Sequence, residues 1–88
     1  MNYKAYITKF FTRGAWDSSE ENMNEAEIKG FISYWNTFVT PTKVGSGFTW
    51  VLNKDPIHES YITIEIKVED NHGNDIDVKV FSEERLIK

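Results

Sequence analysis

The sequence predicts an α+β domain of two layers, one helix packed on a mainly antiparallel four-stranded sheet, in the order β-α-β-β-β along the chain. Three observations predict it. Tyr61 to Val68 alternates strictly, with Ile62, Ile64, Ile66 and Val68 on one side and Tyr61, Thr63, Glu65 and Lys67 on the other, the period of a half-buried strand. Ile28, Phe31, Ile32, Trp35, Phe38 and Val39 recur at steps of three and four, which gathers them on one helix face. Asn2 to Thr12 alternates again, but with aromatics on both faces.

That first strand, residues 1–12, sets Tyr3, Ala5, Ile7 and Phe11 against Tyr6, Thr8 and Phe10. A solvated outer face would be more polar, so the strand is either central in the sheet or covered on its second side. Residues 13–23 are polar and acidic around Trp16, with Gly14 and Ser18-Ser19 as turn residues, and read as a connector. The helix is expected over 24–40. Asn24 stands where an N-cap belongs, Glu27 completes a capping box, and Met23 can staple against Ile28. Thr40-Pro41 should stop it, because the residue before proline is driven out of the α region.

Three strands in a meander complete the sheet at 48–53, 60–69 and 75–82. Phe48, Trp50 and Leu52 face one way on the first of them. Ile76, Val78 and Val80 face inward on the last. A three-residue loop, Asn71-His72-Gly73, is the one that pairs Val68 with Ile76, Ile66 with Val78 and Ile64 with Val80, and it puts Gly73 where φ must be positive. The same register sets Lys67 opposite Asp77 and Glu65 opposite Lys79.

Composition bounds the function. An 88-residue chain with 40% hydrophobic and 15% aromatic residues folds around a single core and is too apolar for a disordered tail. The absence of cysteine removes disulfides, thiolate metal sites and Cys nucleophiles, and fits a cytoplasmic protein. The N-terminus lacks the pattern of a signal peptide, and no apolar run approaches the roughly 20 residues of a membrane span. A net charge of −4 disfavours a phosphate-backbone partner.

The residues that could carry chemistry have structural roles. Glu69 to Asp75, with Asp77, is dense in carboxylates and amides, but it lacks the spacing of a calcium loop and suits a hairpin turn. His58 and His72 have no second ligand beside them at a metal-binding spacing, so no metal or cofactor is expected. Glu59 and Ser60 beside His58 form no nucleophile motif. Lys43 with Gly45-Ser46-Gly47 precedes a strand, whereas phosphate loops open a helix, and reads as a flexible linker.

Two surfaces are left for a partner. On the helix, Gly30, Ser33, Tyr34 and Thr37 lie away from the core stripe, and nothing from Gly30 to Thr42 is charged. On the outer sheet face, Tyr6, Phe10, Val51, Tyr61, Thr63 and Phe81 make an aromatic cluster of the kind that anchors protein interfaces. The expectation is a non-enzymatic protein-binding module. A small inhibitor or adaptor from a phage or mobile element, directed at a host protein, fits its size and composition. The rivals are a homodimer, and a nucleic-acid-associated protein if Lys4, Arg13, Lys43 and Lys54 converge.

Overall fold

The computed structural model describes residues 2–11, 16–53 and 61–82, apart from the side chains of residues 53 and 61. Within these lie β1 (Asn2–Phe11), β2 (Trp16–Asn24), α1 (Glu25–Asn36), β3 (Thr42–Val44), β4 (Gly47–Asn53), β5 (Tyr61–Glu69), β6 (Asp75–Ile76) and a 3-10 turn (Val78–Phe81). The strands form one antiparallel sheet in the order β2-β1-β5-β4-β3, with β6 paired to β5. The α+β, helix-on-sheet architecture is as expected, but the sheet is wider than four strands. The order along the chain is correspondingly β-β-α-β-β-β-β.

The main correction is β2. Residues 16–24, expected as part of an acidic connector, run antiparallel beside β1 with Phe10 opposite Trp16, Tyr6 opposite Glu20 and Asn2 opposite Asn24. Of its nine residues only Met23 is even partly buried. A strand that buries neither face leaves no hydrophobic alternation to detect. With β2 on one side and β5 on the other, β1 is an interior strand, which accounts for aromatics on both of its faces.

The helix starts as its cap residues dictate. The Asn24 side chain accepts from the Glu27 N–H at 2.8 Å, and the Glu27 carboxylate accepts from the Asn24 N–H at 2.9 Å. It ends at Asn36, before the expected stop at Pro41. The Thr37 hydroxyl and N–H both turn back to the Tyr34 carbonyl, and the chain leaves to enter β3. Phe38 therefore falls outside the helical period and is exposed, against the expectation that it joins the core stripe. Ile28 and Ile32 are fully buried, and Phe31, Trp35 and Val39 pack at the margin.

Gly45-Ser46, expected within a flexible linker, is the tight turn of a β3–β4 hairpin, and Gly45 takes the left-handed φ of 61° that such a turn demands. In the β5–β6 hairpin the three-residue loop holds: Val68 faces Ile76, Asp70 N–H donates to Asn74 O, and Gly73 sits at φ 82°. Beyond Ile76 the expected strand stops. Ile66 is already opposite Phe48, and Ile64 opposite Trp50, so β4 occupies the lane that Val78 and Val80 would need. Residues 78–81 instead turn as a 3-10 helix, whose three-residue period points Val78 and Phe81 inward and leaves Val80 exposed.

The core lies between the sheet and this lid of α1 and the 3-10 turn. Ala5, Ile7, Phe48, Trp50, Ile64, Ile66 and Val68 come from the sheet, and Ile28, Ile32, Val78 and Phe81 from the lid. Trp50 is fully buried, and its indole N–H finds the Asn36 side-chain oxygen at 2.9 Å, tying the end of the helix to the centre of the sheet. No described helix is long and apolar enough to cross a membrane.

Candidate functional site

Directly paired residues of neighbouring strands share a face, so the register gives the outer surface row by row. One row reads Trp16, Phe10, Thr63, Val51 across β2, β1, β5 and β4. At the usual strand spacing it is roughly 14 Å wide. Trp16 is 64% exposed, Val51 43% and Phe10 37%, three apolar side chains open to solvent in a row that only the half-buried Thr63 interrupts. Phe11, also exposed, lies at the same end of the sheet on the other face.

The next row is polar: Ser18, Thr8, Glu65, Thr49 and Thr42. It separates Phe10 from Tyr6, which the sequence had grouped together. Tyr6 instead joins Glu20 and Lys67 in a charged band. Its hydroxyl donates to Glu69 Oε1 at 3.1 Å, and partial desolvation followed by that carboxylate pushes the phenol above its ordinary pKa. Lys4 pairs with Glu20 at 3.2 Å, which raises the ammonium pKa. The outer face thus has a polar, ion-paired half and an apolar end.

Phe81 leaves the site altogether. Expected on the outer face, it is 3% exposed on the opposite side of the sheet, packed edge-to-face on Tyr3 with ring centroids 5.3 Å apart. Once residues 78–81 form a turn in place of a strand, alternation no longer assigns their faces. Tyr61 opens β5 opposite Asn53, while its side chain lies outside the described atoms. Thr63 stands at the centre of the apolar row. Trp16 is the residue that sequence reasoning missed, and the signal for it was indirect: a doubly aromatic β1 requires a neighbour on each side.

The helix surface is the second exposed aromatic region. Tyr34 is 56% exposed and packs edge-to-face on both Trp35 and Phe38, at 5.0 and 5.3 Å. These rings continue inward through Phe31 to Trp50. Gly30 is exposed on the same uncharged surface, and a methyl group there would meet nothing within 4 Å. Thr37 is exposed, but its hydroxyl is engaged by the Tyr34 carbonyl at 2.6 Å.

The acidic loop is built as a turn. Asp70 accepts from the N–H groups of Asn74 and His72, which in that order hold its carboxyl below the ordinary range. Asp77 accepts from the Lys79 N–H at the start of the 3-10 turn and pairs with Lys43 at 3.1 Å, and its pKa is lowered for these reasons in that order. Among the described residues no group of three or more His, Asp or Glu side chains is placed to share a metal ion. The recess between β3, β4 and β5, lined by Val44, Phe48 and Glu65, holds about 70 Å³, well short of a small-molecule pocket. Of the four cations considered for nucleic acid, Lys4 and Lys43 are ion-paired in lanes separated by β5 and β4. Arg13 and Lys54 lie outside the described residues, as do His58, Glu59 and Ser60. No family model matches the chain, and no curated protein or solved structure matches it.

Proposed function

We propose that this protein is a protein-binding module whose contact surface is the apolar end of the outer sheet face. The observation that carries the reading is the register-aligned row of Trp16, Phe10, Thr63 and Val51, with an exposed aromatic pair at its β2 end. Large aromatic side chains on a rigid sheet lose little entropy on binding and supply most of the energy of small interfaces. The ion-paired band of Lys4, Glu20, Tyr6 and Glu69 beside it is suited to the polar rim of such a contact.

The test is affinity capture from the native lysate with wild-type protein and with a Trp16→Ser/Phe10→Ser variant checked for an unchanged circular dichroism spectrum. The wild type is expected to retain a defined partner that the variant loses. Equal recovery by both would remove the sheet face from consideration.

A second reading, self-association through the helix, is favoured by Tyr34, Phe38 and an unneeded glycine on one uncharged surface. Light scattering over a concentration series decides it: a dimer that Tyr34→Ser/Phe38→Ser dissociates supports this reading, and a monomer throughout excludes it.

A further inference from the structure

We propose that the free edge of β2 takes an extended segment of a partner chain, one carrying Lys or Arg opposite Asp17 and Glu21 and an apolar side chain beside Trp16. The proposal rests on the outer-face reading above and adds the form and charge of the partner.

Among the described residues no strand pairs with β2 on the side away from β1. Its nine residues, against three in the opposite edge strand β3, present a long row of backbone donors and acceptors, and main-chain pairing with such a row is how extended peptides bind sheet edges. Soluble proteins commonly shield such an edge with Lys, Pro or a bulge. β2 contains neither Lys nor Pro, and its pairing with β1 runs without interruption from Asn2 to Phe10. What it has is Asp17, Glu20 and Glu21, all exposed, with no positive residue. Shielding of that kind discriminates by sign.

The charges also decide between a second copy and a different chain. In a two-fold antiparallel pairing of β2 with itself, the full-length register puts Glu20 opposite Glu20. Sliding by one step puts Asp17 opposite Glu21, and sliding the other way puts Glu21 opposite itself. Each of the longest overlaps is therefore opposed by like charges directly across the strands. Lys4 and Lys9 do not cancel this field on the free side. Lys4 approaches Glu20, and Lys9 faces Asp17, from the β1 side only. Glu21 lies opposite Ala5 and has no cation across from it. A strand with Lys opposite Asp17 and Glu21 would complete a Lys-Asp-Lys ladder at Asp17, which Lys9 faces from β1, and supply the missing cation at Glu21. On the outer face its apolar residue would extend the Trp16 row by one strand.

The probe is a blocked eight-residue peptide alternating Lys with Val and Phe. It is compared with a copy N-methylated along its pairing edge and with a copy carrying Glu for Lys. Amide exchange followed by NMR is expected to slow at least tenfold at alternate residues of 16–24 with the Lys peptide and with neither control. An Asp17→Lys/Glu21→Lys variant should bind the Glu peptide instead. Equal binding of the N-methylated copy, protection confined to another strand, or a peptide-free dimer that protects β2 would each overturn the proposal. If Trp16→Ser/Phe10→Ser loses the native partner while the Lys peptide never binds, the edge proposal fails and the face reading stands. If that variant keeps its native partner, the face reading fails instead.

Discussion

Two glycines respond oppositely to the same substitution because of what lies beside them. Gly30 sits exposed within α1 with open space around it, so an added methyl group meets nothing and removes the entropy cost of glycine in a helix. Gly30→Ala should raise stability by up to about 1 kcal/mol. At Gly47 the same methyl would lie 2.5 Å from the Ile66 carbonyl oxygen and 2.9 Å from Lys67 Cγ, and the backbone oxygen cannot move aside without disturbing the β4–β5 ladder. Gly47→Ala should cost about 1–3 kcal/mol. Urea midpoints that shift in the same direction for both variants would contradict this account. The carboxylates give a residue-scale prediction in pH. Asp70 and Asp77 have pKa values lowered by folding, through backbone N–H groups at both and Lys43 at Asp77. A depressed folded pKa means the unfolded chain takes up protons first, so their contribution is present above the ordinary carboxylate range near 4 and is lost as pH falls through the folded values. Below about pH 4 the wild type should lose stability with falling pH more steeply than Asp70→Asn/Asp77→Asn, measured by urea unfolding at each pH. Parallel curves would show that these hydrogen bonds carry no linkage.

Between elements, one hydrogen bond fixes where the helix ends on the sheet. Trp50 is wholly buried in β4, and its N–H has the Asn36 side chain as acceptor. Asn36→Ala leaves that indole N–H without a partner inside the core, a loss of about 1–3 kcal/mol beyond any change in helix propensity. A stability within about 0.5 kcal/mol of wild type, the range of an inconsequential surface substitution, would mean that the bond is replaced by another. The helix and β5 were legible in the sequence because each buries one face and leaves the period of that burial in the chain: Ile28 and Ile32 in one, Ile64, Ile66 and Val68 in the other. The capping box was legible because its two side chains are local partners. β2 was not, since Asp17 to Asn22 bury nothing and their pairing with β1 leaves no periodic mark in the chain. The candidate site suffered from the same cause. Phe10 and Thr63 were found by alternation, Trp16 was hidden in an unperiodic segment, and Phe81 was misplaced because competition for a strand lane is a property of the sheet.

At the scale of the molecule, that competition is settled at β5, which has β1 along one side and β4 followed by β6 along the other. Ile66 stands at the crossing, with Ile7 opposite on β1 and Phe48 opposite on β4, and it is fully buried. β4 and β6 neighbour β5 in sequence, but β1 comes from the N-terminal end and pairs only by closing a long loop, and the lid of α1 and the 3-10 turn has no complete sheet to pack on until that lane has closed. The fold should therefore unfold as one unit, with the fluorescence of its three tryptophans and helical circular dichroism following the same curve. Ile66→Ala should cost about 2–5 kcal/mol, a large share of the 5–15 kcal/mol typical of a domain, and should lower both curves together. The exposed edge is the exception within that unit. β2 covers little of the core, so its amides should exchange through local opening faster than those of β1 and β5, and Ile66→Ala should leave their rates unchanged until global unfolding overtakes them. Separate transitions for fluorescence and circular dichroism in Ile66→Ala would show instead that the helix and the sheet hold themselves independently, and would end the argument that β5 organises the whole.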